Sequence, residues 1–77
     1  MDEQTARRIA ETARVAHEIP TGHVAKWAER RIIEIRDDAA RVRDARVWVI
    51  RFAYRSAWIE LAVEERTGDV VRLERSR

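Results

Sequence analysis

The sequence predicts a single α+β domain in which one or two helices pack on a three- or four-stranded antiparallel β-meander. Three observations lead there. Apolar positions recur at three- and four-residue intervals over roughly the first 18 residues, and strict apolar alternation begins near Ala45. A single Thr67-Gly68 pair interrupts that alternation as a hairpin turn would. Finally, 77 residues make one domain, spanning 1–77, near the size at which one core leaves only roughly 3–5 kcal/mol of net stability. Self-association as a homodimer would relieve that shortage and is expected.

The first element is a helix from Asp2 to about Glu18. Ala6, Ile9, Ala10, Ala13 and Ala16 share one stripe, and Asp2 or Thr5 can cap its start. Acids occupy the first turn, His17 the last, and Pro20 with Gly22 ends it. The stripe is mostly alanine, which permits close approach to a sheet but contributes little area per residue. Ile9 and Val15 are its largest apolar side chains.

Residues 23 to 44 admit two readings. As a helix, Val24, Ala28, Ile32, Ile35, Ala39 and Val42 form one narrow stripe among strong helix formers. As a strand and loop, Arg31 to Arg36 holds three isoleucines, with Ile33 and Ile35 on one face and Asp37-Asp38 as the turn.

The meander follows. Trp48, Ile50, Phe52 and Tyr54 share one face of a strand from about Ala45 to Tyr54. Arg55-Ser56-Ala57 reverses the chain into a strand from Trp58 to about Glu65, with Ile59, Leu61 and Val63 on one face. Gly68 supplies the positive φ of the next turn, and Asp69 to Glu74 closes the sheet with Val71 and Leu73 on a shared face. Arg51, Glu60, Glu64, Arg72 and Glu74 fall outward, where opposite signs can pair across strands. The chain beyond Glu74 is expected to fray.

Charge is abundant and nearly balanced, 16 Lys and Arg against 14 Asp and Glu for a formal +2. A pI near 9.9 reflects the fact that 15 of the 16 bases are arginine. Arginine-rich, alanine- and valine-rich composition is also what a GC-rich genome produces, so it does not by itself mark a polyanion site. There is no cysteine, hence no disulfide and no thiolate metal site. Met1-Asp2-Glu3-Gln4 opens with acids, unlike the basic region of a signal peptide, and no apolar run approaches the roughly 20 residues of a membrane span. A soluble, cytoplasmic protein is expected.

No motif calls for catalysis or a cofactor. His17 and His23 flank the Pro20 and Gly22 break, and a metal site there would need a carboxylate such as Glu18. Asp37-Asp38 could serve as an acid-base pair, but adjacent acids are ordinary turn residues. Thr5, Thr12, Ser56 and Ser76 have no histidine beside them in sequence. The expectation is no enzyme, no metal and no small-molecule cofactor.

Three tryptophans are many for this length. Trp48 shares the core face with Ile50 and Phe52. Trp58 alternates instead with Glu60, Ala62 and Glu64, so its ring lies over solvent, under a second element or in an interface, or else caps the end of the core or covers an arginine stem. Tryptophan and arginine concentrate at binding hot spots, which makes Trp58, Arg51, Arg55 and Tyr54 the candidate partner-binding residues. The leading expectation is a non-enzymatic protein-interaction or inhibitory module whose partner is another protein or a second copy. The alternative is nucleic-acid binding through the arginine-rich segment 30–46, although Glu34, Asp37, Asp38 and Asp44 dilute its charge.

Val47-Trp48-Val49-Ile50-Arg51-Phe52, followed by Val63-Glu64-Glu65-Arg66-Thr67-Gly68-Asp69-Val70-Val71, resembles the small PepSY-type domains, where a W-x-V-x-F strand precedes V-D-x-x-T-G-x-V. The resemblance covers residues 44 to 74, and Glu64 stands where the family usually has Asp. Many relatives act outside the cytoplasm, whereas no secretion signal is read here. The resemblance implies a helix on a curved antiparallel sheet, cystatin-like in shape, and a binding or inhibitory role. It also tilts residues 31 to 36 toward a strand.

Overall fold

The computed structural model describes residues 1–77. One helix, α1 (Glu3–Ala16), precedes four strands: β1 (Val24–Arg36), β2 (Val42–Tyr54), β3 (Ala57–Glu64) and β4 (Val70–Arg75). The strands pair antiparallel in chain order, so every connection is a turn between neighbours. The fold is therefore an α+β meander with one helix and four strands.

Asp2 caps α1, its extended backbone letting a carboxylate oxygen accept from the Thr5 amide at 2.8 Å. A Glu3 to Arg7 ion pair braces the exposed side, while Arg14, largely buried over the Phe52 ring, pairs with Glu11. At the far end Glu18 turns left-handed at φ 57, the Ile19 amide bonds back to the Arg14 carbonyl, and Ile19 drops into the core. Ala6 and Ala10 are fully buried, with Ile9 and Ala13 beside them. Val15 does not join that stripe and faces solvent.

Beneath α1 lie Trp48, Ile50 and Phe52 of β2 and Ile59, Leu61 and Val63 of β3. Each such side chain contributes roughly 1.5–3 kcal/mol on leaving water. Ala25 and Ala28 of β1 and Val70 and Leu73 of β4 extend this layer to both edges. No helix is long and apolar enough to cross a membrane.

Residues 24 to 36 resolve as a strand, not a helix. Three members of the helical stripe, Val24, Ile32 and Val42, are 57%, 68% and 56% exposed, and Ala28 and Ile35 pack on opposite faces of the sheet, so the stripe shares no buried face. Asp37 makes the turn: its carboxylate accepts from the Ala39 and Arg41 amides at 2.9 and 3.0 Å.

Two irregularities shift side-chain parity. A bulge at Lys26 lets Ala25 and Ala28 both face the helix while Trp27 faces away. A second, between Ala62 and Val63, pairs Val63 with Val70, so Val70 and Leu73 lie under α1 and Val71 packs on the opposite face. Val71 and Leu73 do not share a face, because the extra residue inverts the alternation. Nor does the chain fray at Glu74. β4 runs to Arg75, and Ser76 exchanges two bonds with the Trp58 backbone, at 2.9 and 2.8 Å.

Candidate functional site

With a single helix, the sheet has one covered face and one open face. Register places Trp27, Glu29, Arg31, Ile33 and Ile35 of β1 on the open face, beside Arg43, Ala45, Val47, Val49 and Arg51 of β2. Trp58, Glu60, Ala62 and Glu64 of β3 and Arg72 and Glu74 of β4 complete it. Ala45, Val47, Val49 and Ala62 form a buried apolar floor flanked by half-buried Trp27, Ile33, Ile35 and Val71. Long charged side chains lie over that floor and shield it, as amphipathic stems do. Between them sits a shallow depression bordered by Arg31, Ile33, Glu60 and Arg72, floored by Val49 and Ala62.

Two carboxylates on this face are almost wholly buried, Glu60 at 7% and Glu64 at 4% exposure. Each is matched by an arginine. Arg43 grips Glu64 through both terminal nitrogens at 2.9 and 3.0 Å, the bidentate geometry that makes such pairs strong. The Thr67 hydroxyl donates to the same carboxylate at 3.3 Å. The Arg43 hydrogen bonds hold the Glu64 carboxyl below its ordinary value against burial, with the charges of Arg43 and Arg66 and the Thr67 hydroxyl adding to the effect.

Arg51 donates from Nε to Glu60 at 2.7 Å and also pairs through a terminal nitrogen. Its guanidinium lies 4.3 Å from the Trp58 ring centre and 5.0 Å from that of Trp27. One cation is thus shared between two indoles, within the range of cation–π attraction. This trio, with Glu60, is a half-buried aromatic-arginine cluster at one end of the open face.

Of the four candidate binding residues, Arg51 and Trp58 meet here. Tyr54 and Arg55 do not: they lie together at the β2–β3 turn, with the Arg55 guanidinium 5.3 Å from the Tyr54 ring and the His23 ring 6.0 Å from it. Trp27 belongs to the cluster and was not among the candidates. The signal was present as an alternating run, Trp27, Glu29, Arg31, Ile33, Ile35, masked by the competing helical stripe.

The arginines of segment 30–46 divide between the two faces. Arg31 and Arg43 are on the open face, while Arg30 stacks 4.9 Å from Trp48 on the helix side and Arg46, paired with Ile32, also points there. The tip they flank carries Asp37 and Asp38. No three His, Asp or Glu side chains gather where they could hold one metal ion. No family model, curated protein or solved structure matches this chain.

Proposed function

We propose that this protein is a non-enzymatic protein-interaction module, cytoplasmic and self-associating, that binds through the open sheet face. The observation that carries this reading is the Trp27–Arg51–Trp58 cluster set beside an apolar floor on a sheet face that no element of the chain covers. Tryptophan and arginine anchors in a partly desolvated setting are what binding hot spots are made of. A binding or inhibitory role is also what the resemblance to PepSY-type domains implies.

Nucleic-acid binding through residues 30–46 has less support, because those arginines split between opposite faces and Asp37 and Asp38 offset Arg36 and Arg41 at the tip. Sedimentation equilibrium at micromolar concentrations tests the leading reading. The full chain should sediment as a reversible dimer, and Trp58→Ala should be folded by circular dichroism yet shifted to monomer. A wild-type monomer with a concentration-independent melting point would refute self-association. A salt-sensitive gel shift on duplex DNA would favour the nucleic-acid alternative.

A further inference from the structure

Charge on the open face is not scattered; it is divided across the strands. The β1–β2 half carries Arg31, Arg43 and Arg51 against Glu29. The β3–β4 half carries Glu60, Glu64 and Glu74 against Arg72. By strand the first half is net basic and the second net acidic by the same amount, with the Arg43–Glu64 and Arg51–Glu60 pairs straddling the boundary, Arg31–Glu29 and Arg72–Glu74 paired within their own strands, and the face as a whole neutral. A neutral, laterally polarised face suits neither a polyanion nor a strongly acidic partner. It suits a copy of itself.

We infer that two copies of this chain pack their open faces together about a two-fold axis that runs parallel to the strands between β2 and β3. This rests on the self-association proposed above and specifies its geometry. An axis along the strands lays β1 over the second copy's β4 and β2 over its β3, so basic half meets acidic half. An axis across the strands would lay every strand over its own copy, setting arginine against arginine, an arrangement that interfaces select against. Only the first operation makes the face self-complementary, as a two-fold interface requires.

The residues beside this axis fit close approach. Val49 and Ala62 are register partners on either side of it, and each would lie over the other in the second copy, small enough to let the two faces approach closely there. Glu60 and Glu64 enter the interface already paired with Arg51 and Arg43, so stacking leaves no orphaned carboxylate. The overlap is set by the eight residues of β3 and the six of β4, so four strands at about 4.8 Å and about seven residues at about 3.3 Å present roughly 440 Å² per copy, about 900 Å² in all. That is close to the roughly 1,000 Å² of a specific interface and suits a reversible dimer.

Because the chain has no cysteine, single-cysteine variants report the geometry directly. With sheets about 10 Å apart, the two copies of residue 62 stand about 11 Å apart at Cα and the two copies of residue 29 about 17 Å. Ala62→Cys should crosslink to a covalent dimer with a short bismaleimide, whereas Glu29→Cys should not. Val49→Cys, across the axis, serves as a second probe should Ala62→Cys fold poorly. Crosslinking at Glu29→Cys instead would overturn this packing in favour of β1 edge pairing or the other axis, leaving self-association intact. A dimer by sedimentation that crosslinks at no probe also overturns the packing alone. A monomer by sedimentation overturns both proposals.

Discussion

The Arg51 guanidinium lies 4.3 Å from the Trp58 ring centre while its nitrogens hold the Glu60 carboxylate. One planar cation thus satisfies a buried acid and orients an indole, with Trp27 on its other side at 5.0 Å. Lysine cannot reproduce both roles, since its point charge lacks the stacking plane. Arg51→Lys should keep the fold and lower the free energy of unfolding by about 0.5–1 kcal/mol, read by urea denaturation. An unchanged midpoint would mean that the stacking is idle.

Trp48 occupies the opposite face, buried beneath α1, its indole N–H donating to the Met1 carbonyl at 3.3 Å. Trp48→Ala should cost about 3–5 kcal/mol and leave so small a domain largely unfolded. Circular dichroism checks this against Trp58→Ala, which should remain helical. The reverse pattern would exchange the core and binding faces.

Glu64 gives stability its dependence on acid. Its carboxyl sits below the ordinary 4.5, so the folded state binds its proton less readily than the unfolded chain does. That contribution is fully present above the ordinary value and is lost as pH falls through the depressed one. Arg43→Ala, which removes the principal cause, should move the acid-unfolding midpoint to higher pH. A titration by tryptophan fluorescence reads the shift, and an unmoved midpoint would show the fork to be without consequence for stability.

Much of this fold was legible in the sequence because most of its signals are local. A cap at Asp2, one of two candidates, the alanine stripe as far as Ala13 and the alternation over Trp48, Ile50 and Phe52 each follow from local signals and appear in the structure, while Ala16 at the end of the stripe is exposed. β1 was not decidable, because from Ile32 outward its helix-side positions are exposed and only Ile33 and Ile35 pack, on the smaller open-face cluster, so the same isoleucines fit a helical stripe as well as an alternation. The bulge at Lys26 also breaks its period of two. Val71 was misassigned for a related reason, since a bulge in strand pairing leaves no mark within six residues of sequence. Of the aromatic-arginine cluster, Arg51 and Trp58 were readable from strand parity, whereas Trp27 depended on resolving β1.

Two turn positions should respond in opposite senses. Gly68 has φ +77, and an added Cβ would stand 3.5 Å from Ile9, an ordinary contact, so conformational strain sets the cost. Gly68→Ala should lower stability by about 1–2 kcal/mol. Arg55 holds a left-handed φ of 55 without being glycine. Arg55→Gly should raise stability by up to about 1 kcal/mol, strain relief exceeding the added chain entropy. Thermal melts of both variants measure the pair, with about 4–8 °C expected per kcal/mol at this size.

A second copy lying over the open face would be visible to an isotope-filtered NOE experiment on a mixture of labelled and unlabelled chains. Intermolecular contacts are predicted from Val49 and Ala62 and between β1 of one copy and β4 of the other, with none from Ile50, Leu61 or Val63 under the helix. Intermolecular contacts confined to the β1 backbone edge, or none at a concentration where the chain is dimeric, would contradict it.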